Sequence, residues 1–135
     1  MKWTLVLLPT RSSSRRNARL TALNNGPQSC VFAGYPGFYI HNGKAYDIQG
    51  EGKGRPKPVT LHKGARVSFD LRYTPDSAKH EGDLCVTGTE ALAWAPHGDH
   101  NSPARVPVTD THGRVTPITA CGEAISMSPP HHTQG

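Results

Sequence analysis

Apolar and polar side chains alternate along this chain with a period of two. The clearest run is Arg66-Val67-Ser68-Phe69-Asp70-Leu71-Arg72-Tyr73. Val67, Phe69, Leu71 and Tyr73 share one face of it, and Arg66, Ser68, Asp70 and Arg72 share the other. That spacing predicts a half-buried antiparallel strand, since a helix would scatter the same apolar residues around its circumference. Shorter runs predict strands over 3–8, 19–24, 38–41, 44–48, 92–96, 105–109, 117–119 and 123–128, while 30–32 extends the second of these or starts a corner and 59–61 leads into a tight turn. Turn signals separate them: Asn24-Asn25-Gly26-Pro27, the corner Gly34-Tyr35-Pro36-Gly37, Lys63-Gly64, and Asn42-Gly43, a strong hairpin signal. Residues 49–58, 74–83 and 97–103 are expected as loops.

About seven to nine short strands with frequent turns predict an all-β sandwich or barrel. Two facing inner layers would bury Trp3 or Val6, Leu20, Phe38, Ile40, Val67, Phe69, Leu71, Leu92, Trp94 and Ile125. Composition agrees. Glycine (14) and proline (12) make up nearly a fifth of the 135 residues, which leaves no room for long helices. The length suits one domain, placed over 1–129, with 130–135 as a disordered polar tail.

Charge narrows the partners. Fifteen lysines and arginines against ten acids give +5 with neutral histidines. A basic chain of this kind suits anionic partners such as wall polymers or acidic lipids. Nucleic acid is not expected, because aromatics are 7% and no base-stacking motif accompanies the cations. No stretch reaches the ~20 apolar residues of a transmembrane helix. The start, Met1-Lys2-Trp3-Thr4-Leu5-Val6-Leu7-Leu8-Pro9, mimics a signal peptide but lacks a small-x-small cleavage site, and it reads as a first strand.

Little in the chain is poised for reaction. His97-Gly98-Asp99-His100 puts two imidazoles and a carboxylate in one loop, a weak metal candidate through His97, Asp99 and His100, with His112, His131 and His132 as further donors. The three cysteines, Cys30, Cys85 and Cys121, form no C-x-x-C pair. No G-x-S-x-G occurs, and the Ser12–Ser14 cluster falls in a turn. Asp70 alternates onto an exposed strand face. Gly50-x-Gly52-x-Gly54 lacks the helix and the lysine-hydroxyl pair of a phosphate loop. The expectation is no enzyme and no cofactor.

Several motifs resemble one family. Leu20-Thr21-Ala22-Leu23-Asn24-Asn25-Gly26 leads to Cys30-Val31-Phe32-Ala33-Gly34-Tyr35-Pro36-Gly37. Val59-Thr60-Leu61-His62-Lys63-Gly64-Ala65, the alternating strand, Cys85 and Cys121 follow. Over about residues 3–129 this pattern is similar to the actinobacterial domain-of-unknown-function family DUF4232. His62-Lys63-Gly64 stands where the family has a proline-glycine turn, and no cysteine precedes the first strand. The resemblance implies an immunoglobulin-like antiparallel β-sandwich, exported or lipid-anchored at the cell envelope. It also implies a Cys85–Cys121 disulfide, worth roughly 3–4 kcal/mol through the loop it closes, and an unpaired Cys30. Three reduced cysteines are the alternative for a cytosolic chain.

The function expected is therefore a non-catalytic binding or structural module of the cell envelope or exterior. Its partner would be an anionic envelope polymer or another protein. Lys57, Lys63, Arg66 and Arg72 are the candidate binding residues.

Overall fold

The computed structural model describes residues 1–9, 15–41, 47–98 and 100–133. The strands, in chain order, are β1 (Lys2–Leu7), β2 (Arg16–Leu23), β3 (Cys30–Phe32), β4 (Gly37–His41), β5 (Asp47–Gly52), β6 (Val59–Leu61), β7 (Arg66–Thr74), β8 (Cys85–Gly88), β9 (Glu90–Trp94), β10 (Ala104–Thr109), β11 (Ile118–Met127) and β12 (His131–Thr133). Among the described residues a single 3-10 turn, Asp76–Ala78, interrupts them. The expected hairpin forms, with Ile40 opposite Ile48 and His41 opposite Asp47. Its Asn42-Gly43 turn lies outside the described residues, as does the Ser12–Ser14 cluster.

The immunoglobulin-like antiparallel sandwich is not the architecture. The main sheet runs β7-β2-β1-β10-β9-β4-β5-β11, and β11 pairs back onto β7. Eight strands thus close into a barrel. Two contacts in the ring, β1–β10 and β5–β11, are parallel. Local alternation cannot tell these outcomes apart, because a barrel interior and a sandwich interior both take every second residue. Only pairings far apart in sequence decide, and β1 meets β10 across about a hundred residues. Four short strands extend the arrangement: β8 flanks β11, β12 flanks β7, and β3 pairs with β6.

β11 makes closure possible. Ile118 and Ala120 face inward in its first half, and Ile125 and Met127 in its second. The inward parity therefore changes within the strand. The register slips between Cys121 and Ser126, and Gly122 sits there at φ 97°. Only glycine adopts that backbone freely, and an extra residue of this kind bends a strand. The first half can then pair with β8 while the second is held between β5 and β7.

The interior holds Leu20, Phe38, Ile40, Val67, Phe69, Leu71 and Ile125 as expected. Two expectations fail. In β1 the fully buried residue is Leu5, not Trp3 or Val6; Trp3 and Leu7 flank it on the same side and pack at the core's margin. In β9 the inward residues are Ala91 and Ala93, while Leu92 and Trp94 point outward. At the interior's aromatic end, Phe32 stacks on Phe69 with centroids 5.6 Å apart, and Trp3 and Tyr35 lie beside them. Full burial of each such side chain contributes about 2–3 kcal/mol.

Two further stretches differ from expectation. The loop assigned to 49–58 begins as the end of β5, whose glycines make room: side chains at Gly50 and Gly52 would collide with Met127 and Tyr35. The polar tail carries β12, registered on β7 with His131 opposite Ser68. At the end of β2, buried Asn24 acts as a clamp. Its amide donates to the Gln28 and Leu61 carbonyls at 2.8 and 2.9 Å, and its oxygen accepts from Gly26 N–H at 3.1 Å.

Candidate functional site

β2 and β7 lie side by side over their full lengths. Their inward residues (Ala18, Leu20 and Ala22; Val67, Phe69, Leu71 and Tyr73) belong to the core. Strand geometry then sends Asn17, Arg19 and Thr21, with Ser68, Asp70 and Arg72, to the outside. Thr21 and Ser68 share a cross-strand hydroxyl hydrogen bond of 2.9 Å.

Asp70 organises this face. Its Oδ1 accepts from Arg19 Nε at 3.1 Å, and its Oδ2 lies 3.1 Å from His131 Nε2. Its main chain exchanges two hydrogen bonds of 2.9 Å with Ser128, one to the Ser128 hydroxyl and one from the Ser128 N–H. The ion pairs are half exposed, so each contributes at most about 1 kcal/mol. Their main effect is on charge, since Asp70 offsets Arg19 and His131. Among the described residues Arg72 has no carboxylate within ion-pairing distance.

Arg72 borders a shallow concavity of about 380 Å³ together with Arg15, Asn17, Asp70, Ser126 and Ser128. A second hollow of about 260 Å³, lined by Arg19, Ser68, Asp70 and His131, adjoins it. Guanidinium groups beside hydroxyl and amide donors are suited to hold phosphate or carboxylate oxygens. Beneath this face, burial raises the phenol of Tyr73 above its ordinary pKa, with Arg16 pulling the other way.

Only part of the expected cationic set gathers here. Arg66 and Arg72 both point outward from β7 but stand roughly 20 Å apart along it. Lys57 is exposed before β6 and Lys63 in the turn before β7. Neither lines the concavity. Ser126 and Ser128 escaped the sequence reading because the end of β11 reaches β7 only through closure of the barrel.

Among the described residues, no grouping of possible metal-ligand atoms includes His97 or His100. His97 and His100 are exposed, and Asp99 lies outside the described residues. His112 sits in the 110–114 turn, where its N–H and that of Arg114 donate to Asp110. The Arg114 N–H, above all, holds the Asp110 carboxyl below the usual carboxylate range, and the His112 N–H adds to it. His131 serves Asp70.

Among the described residues, the one grouping with ligand-like spacing is Asp76, Cys85 and Cys121, whose donor atoms lie within 4.8 Å of one another. Cys85 and Cys121 face each other across β8 and β11 and are joined as a disulfide, so they offer no thiolate in this state. Cys30 is free. A serine–histidine contact that the sequence did not reveal, Ser29 Oγ to His62 Nδ1 at 3.1 Å, is exposed. No described carboxylate orients that imidazole, so the pair is not a catalytic triad.

The corner Gly34-Tyr35-Pro36-Gly37 also takes on a physical meaning. Gly34 adopts φ 113°. Tyr35 lies over Gly52, and its hydroxyl donates to the Lys53 carbonyl at 2.8 Å. Pro36 is buried, and Gly37 receives the indole of Trp94. These contacts tie β4, β5 and β9 together at one corner of the barrel.

Among the described residues no helix is long and apolar enough to cross a membrane. No curated protein and no solved structure matches the chain. One family does, across residues 5–129: the chain belongs to the family described as Domain of unknown function (DUF4232).

Proposed function

We propose that this domain is a non-catalytic binding module of the cell envelope or exterior that engages an anionic partner through the outer face of β2 and β7. The observation that carries the reading is Arg72, which lacks a carboxylate partner among the described residues and borders a concavity with Arg15, Asn17, Ser126 and Ser128. The surplus charge of +5 favours approach of an anion from a distance. The Cys85–Cys121 bridge supports an oxidising compartment. A shallow, open, hydroxyl-lined cationic surface suits repeated weak contacts along a polymer better than enclosure of a small substrate.

Binding to poly(glycerol phosphate), measured across salt concentration, tests this. Affinity is expected to fall steeply as salt screens the surface, and Arg72→Gln is expected to weaken binding several-fold at low salt. Affinity that ignores both salt and Arg72→Gln would remove the reading.

A further inference from the structure

Beside the Arg72 concavity, the β2/β7 face holds the hollow of about 260 Å³ lined by Arg19, Ser68, Asp70 and His131. Asp70 lines both. A third shallow hollow, of about 240 Å³, shares Arg19 and Asp70 with one and Asn17, Asp70 and Arg72 with the other. The three form one continuous depression with Asp70 at its centre.

The charge of the Arg19–His131 hollow depends on a single proton. Asp70 Oδ1 accepts from Arg19 Nε at 3.1 Å, and Asp70 Oδ2 lies 3.1 Å from His131 Nε2. While the imidazole is neutral, one guanidinium and one carboxylate cancel, and the hollow offers an anion no net attraction. A proton on His131 leaves a surplus of one positive charge. Both ring nitrogens of an imidazolium donate, so Nε2–H can stay on Asp70 while a second N–H is added. Histidine is the side chain that makes this change between about pH 5 and 8, whereas arginine stays charged throughout.

Register delivers the imidazole to this place. Among the described residues β12 has β7 as its one strand partner, with His131 opposite Ser68 and Thr133 opposite Arg66. Ser68 and Asp70 share the outer face because they are two positions apart. The charged groups around His131 are therefore Asp70 and Arg66 on β7 and, across that strand, Arg19 on β2, which stands opposite Asp70.

We propose that the Arg19–His131 hollow is a second anion subsite of this face, opened by protonation of His131, so that the domain holds a phosphodiester polymer more tightly in acid than at neutral pH. The inference rests on the anion-binding reading of the same face. One phosphate lies against Arg72 and another against Arg19 and His131. Asp70 is the internal counter-ion that keeps the second subsite closed until the imidazole is charged. Phosphodiesters keep one negative charge across this pH range, so the change in affinity originates in the protein. One added charge about 7 Å from a phosphate is worth about threefold in affinity in water-like surroundings.

The test titrates the full chain with poly(glycerol phosphate) at about pH 5.5 and about pH 7.5. Both titrations use about 0.1 M salt, which screens histidines more than about 10 Å away. The parent is expected to bind about threefold more tightly at the lower pH. His131 is exposed, so its variants should melt as the parent does. His131→Gln should match the parent at the higher pH and lose the gain at the lower one, and His131→Lys should bind tightly at both. His97→Gln, in the exposed loop after β9, should keep the gain. Arg72→Gln should weaken binding at both values and preserve their ratio. Salt-sensitive binding that is equal at the two pH values, or a gain that survives His131→Gln, overturns this inference and leaves the anion-binding reading standing. Absence of binding at both values overturns that reading and this inference with it.

Discussion

The outer faces of β2/β7 and β9/β4 occupy opposite sides of one barrel and are built from the same alternation. Both place small residues inside, Ala18 and Ala22 on β2, Ala91 and Ala93 on β9. They differ in what the outward positions carry. β2 and β7 present guanidinium, carboxylate and hydroxyl groups whose interactions are electrostatic and exposed. β9 and β4 present rings, and Trp94 is seated on Gly37. The first face can gain or lose a charge with little effect on the fold. The second is joined to it, because the ring covers backbone. Alternation thus states which side a residue takes, while the chemistry of the outer side is set independently of packing.

The largest effect should erase the contrast. Reducing Cys85–Cys121, which closes a separation of 36 residues, is expected to cost roughly 3–4 kcal/mol. β11 carries Cys121 and pairs with β7, so polyanion binding should weaken as well. Urea unfolding with and without reductant measures this, and polyanion binding unchanged by reduction would show that the cationic face is not coupled to the bridge through β11. Gly37→Ala comes next. Displacing the indole should cost about 1–3 kcal/mol while polyanion binding persists, as urea unfolding and a parallel titration would show.

Asp70→Asn sharpens the other side. It removes two exposed ion pairs, at about 1 kcal/mol or less. By unmasking Arg19 and His131 it should tighten polyanion binding, and weaker binding would mean that Asp70 positions those groups rather than neutralising them. The smallest effect concerns alkaline pH. Burial raises the Tyr73 phenol, so the unfolded chain loses its proton first, at about pH 10. Stability should therefore be intact below that value and decline as pH rises toward the folded pKa. Urea midpoints between pH 8 and 11 report the decline, which Tyr73→Phe should flatten.

Much of this molecule was legible where the signal is local. The run from Val67 to Tyr73 gave its own inward face, the Asn24 turn its position, and the family motifs the Cys85–Cys121 pairing. The closed barrel was not legible, because β1–β10 and β5–β11 are parallel contacts between distant segments that leave no trace in period or turn chemistry. β9 misled for a different reason. Hydrophobicity assigns Leu92 and Trp94 to the interior, and only a partner glycine on the neighbouring strand explains why an indole can lie outside. The cationic concavity was half visible: Arg72 stood out on its strand, but Ser126 and Ser128 arrive from β11.

Closure also bears on how this protein behaves when crowded. Every strand of the ring has a partner strand on both sides, and among the described residues the strands with an open edge are the short segments β3, β6, β8 and β12. Templated stacking into fibres needs a long bare rim, and the described residues form none. Concentrated solutions are thus expected to resist strand-by-strand polymerisation even at a pH where the surface charge has been neutralised.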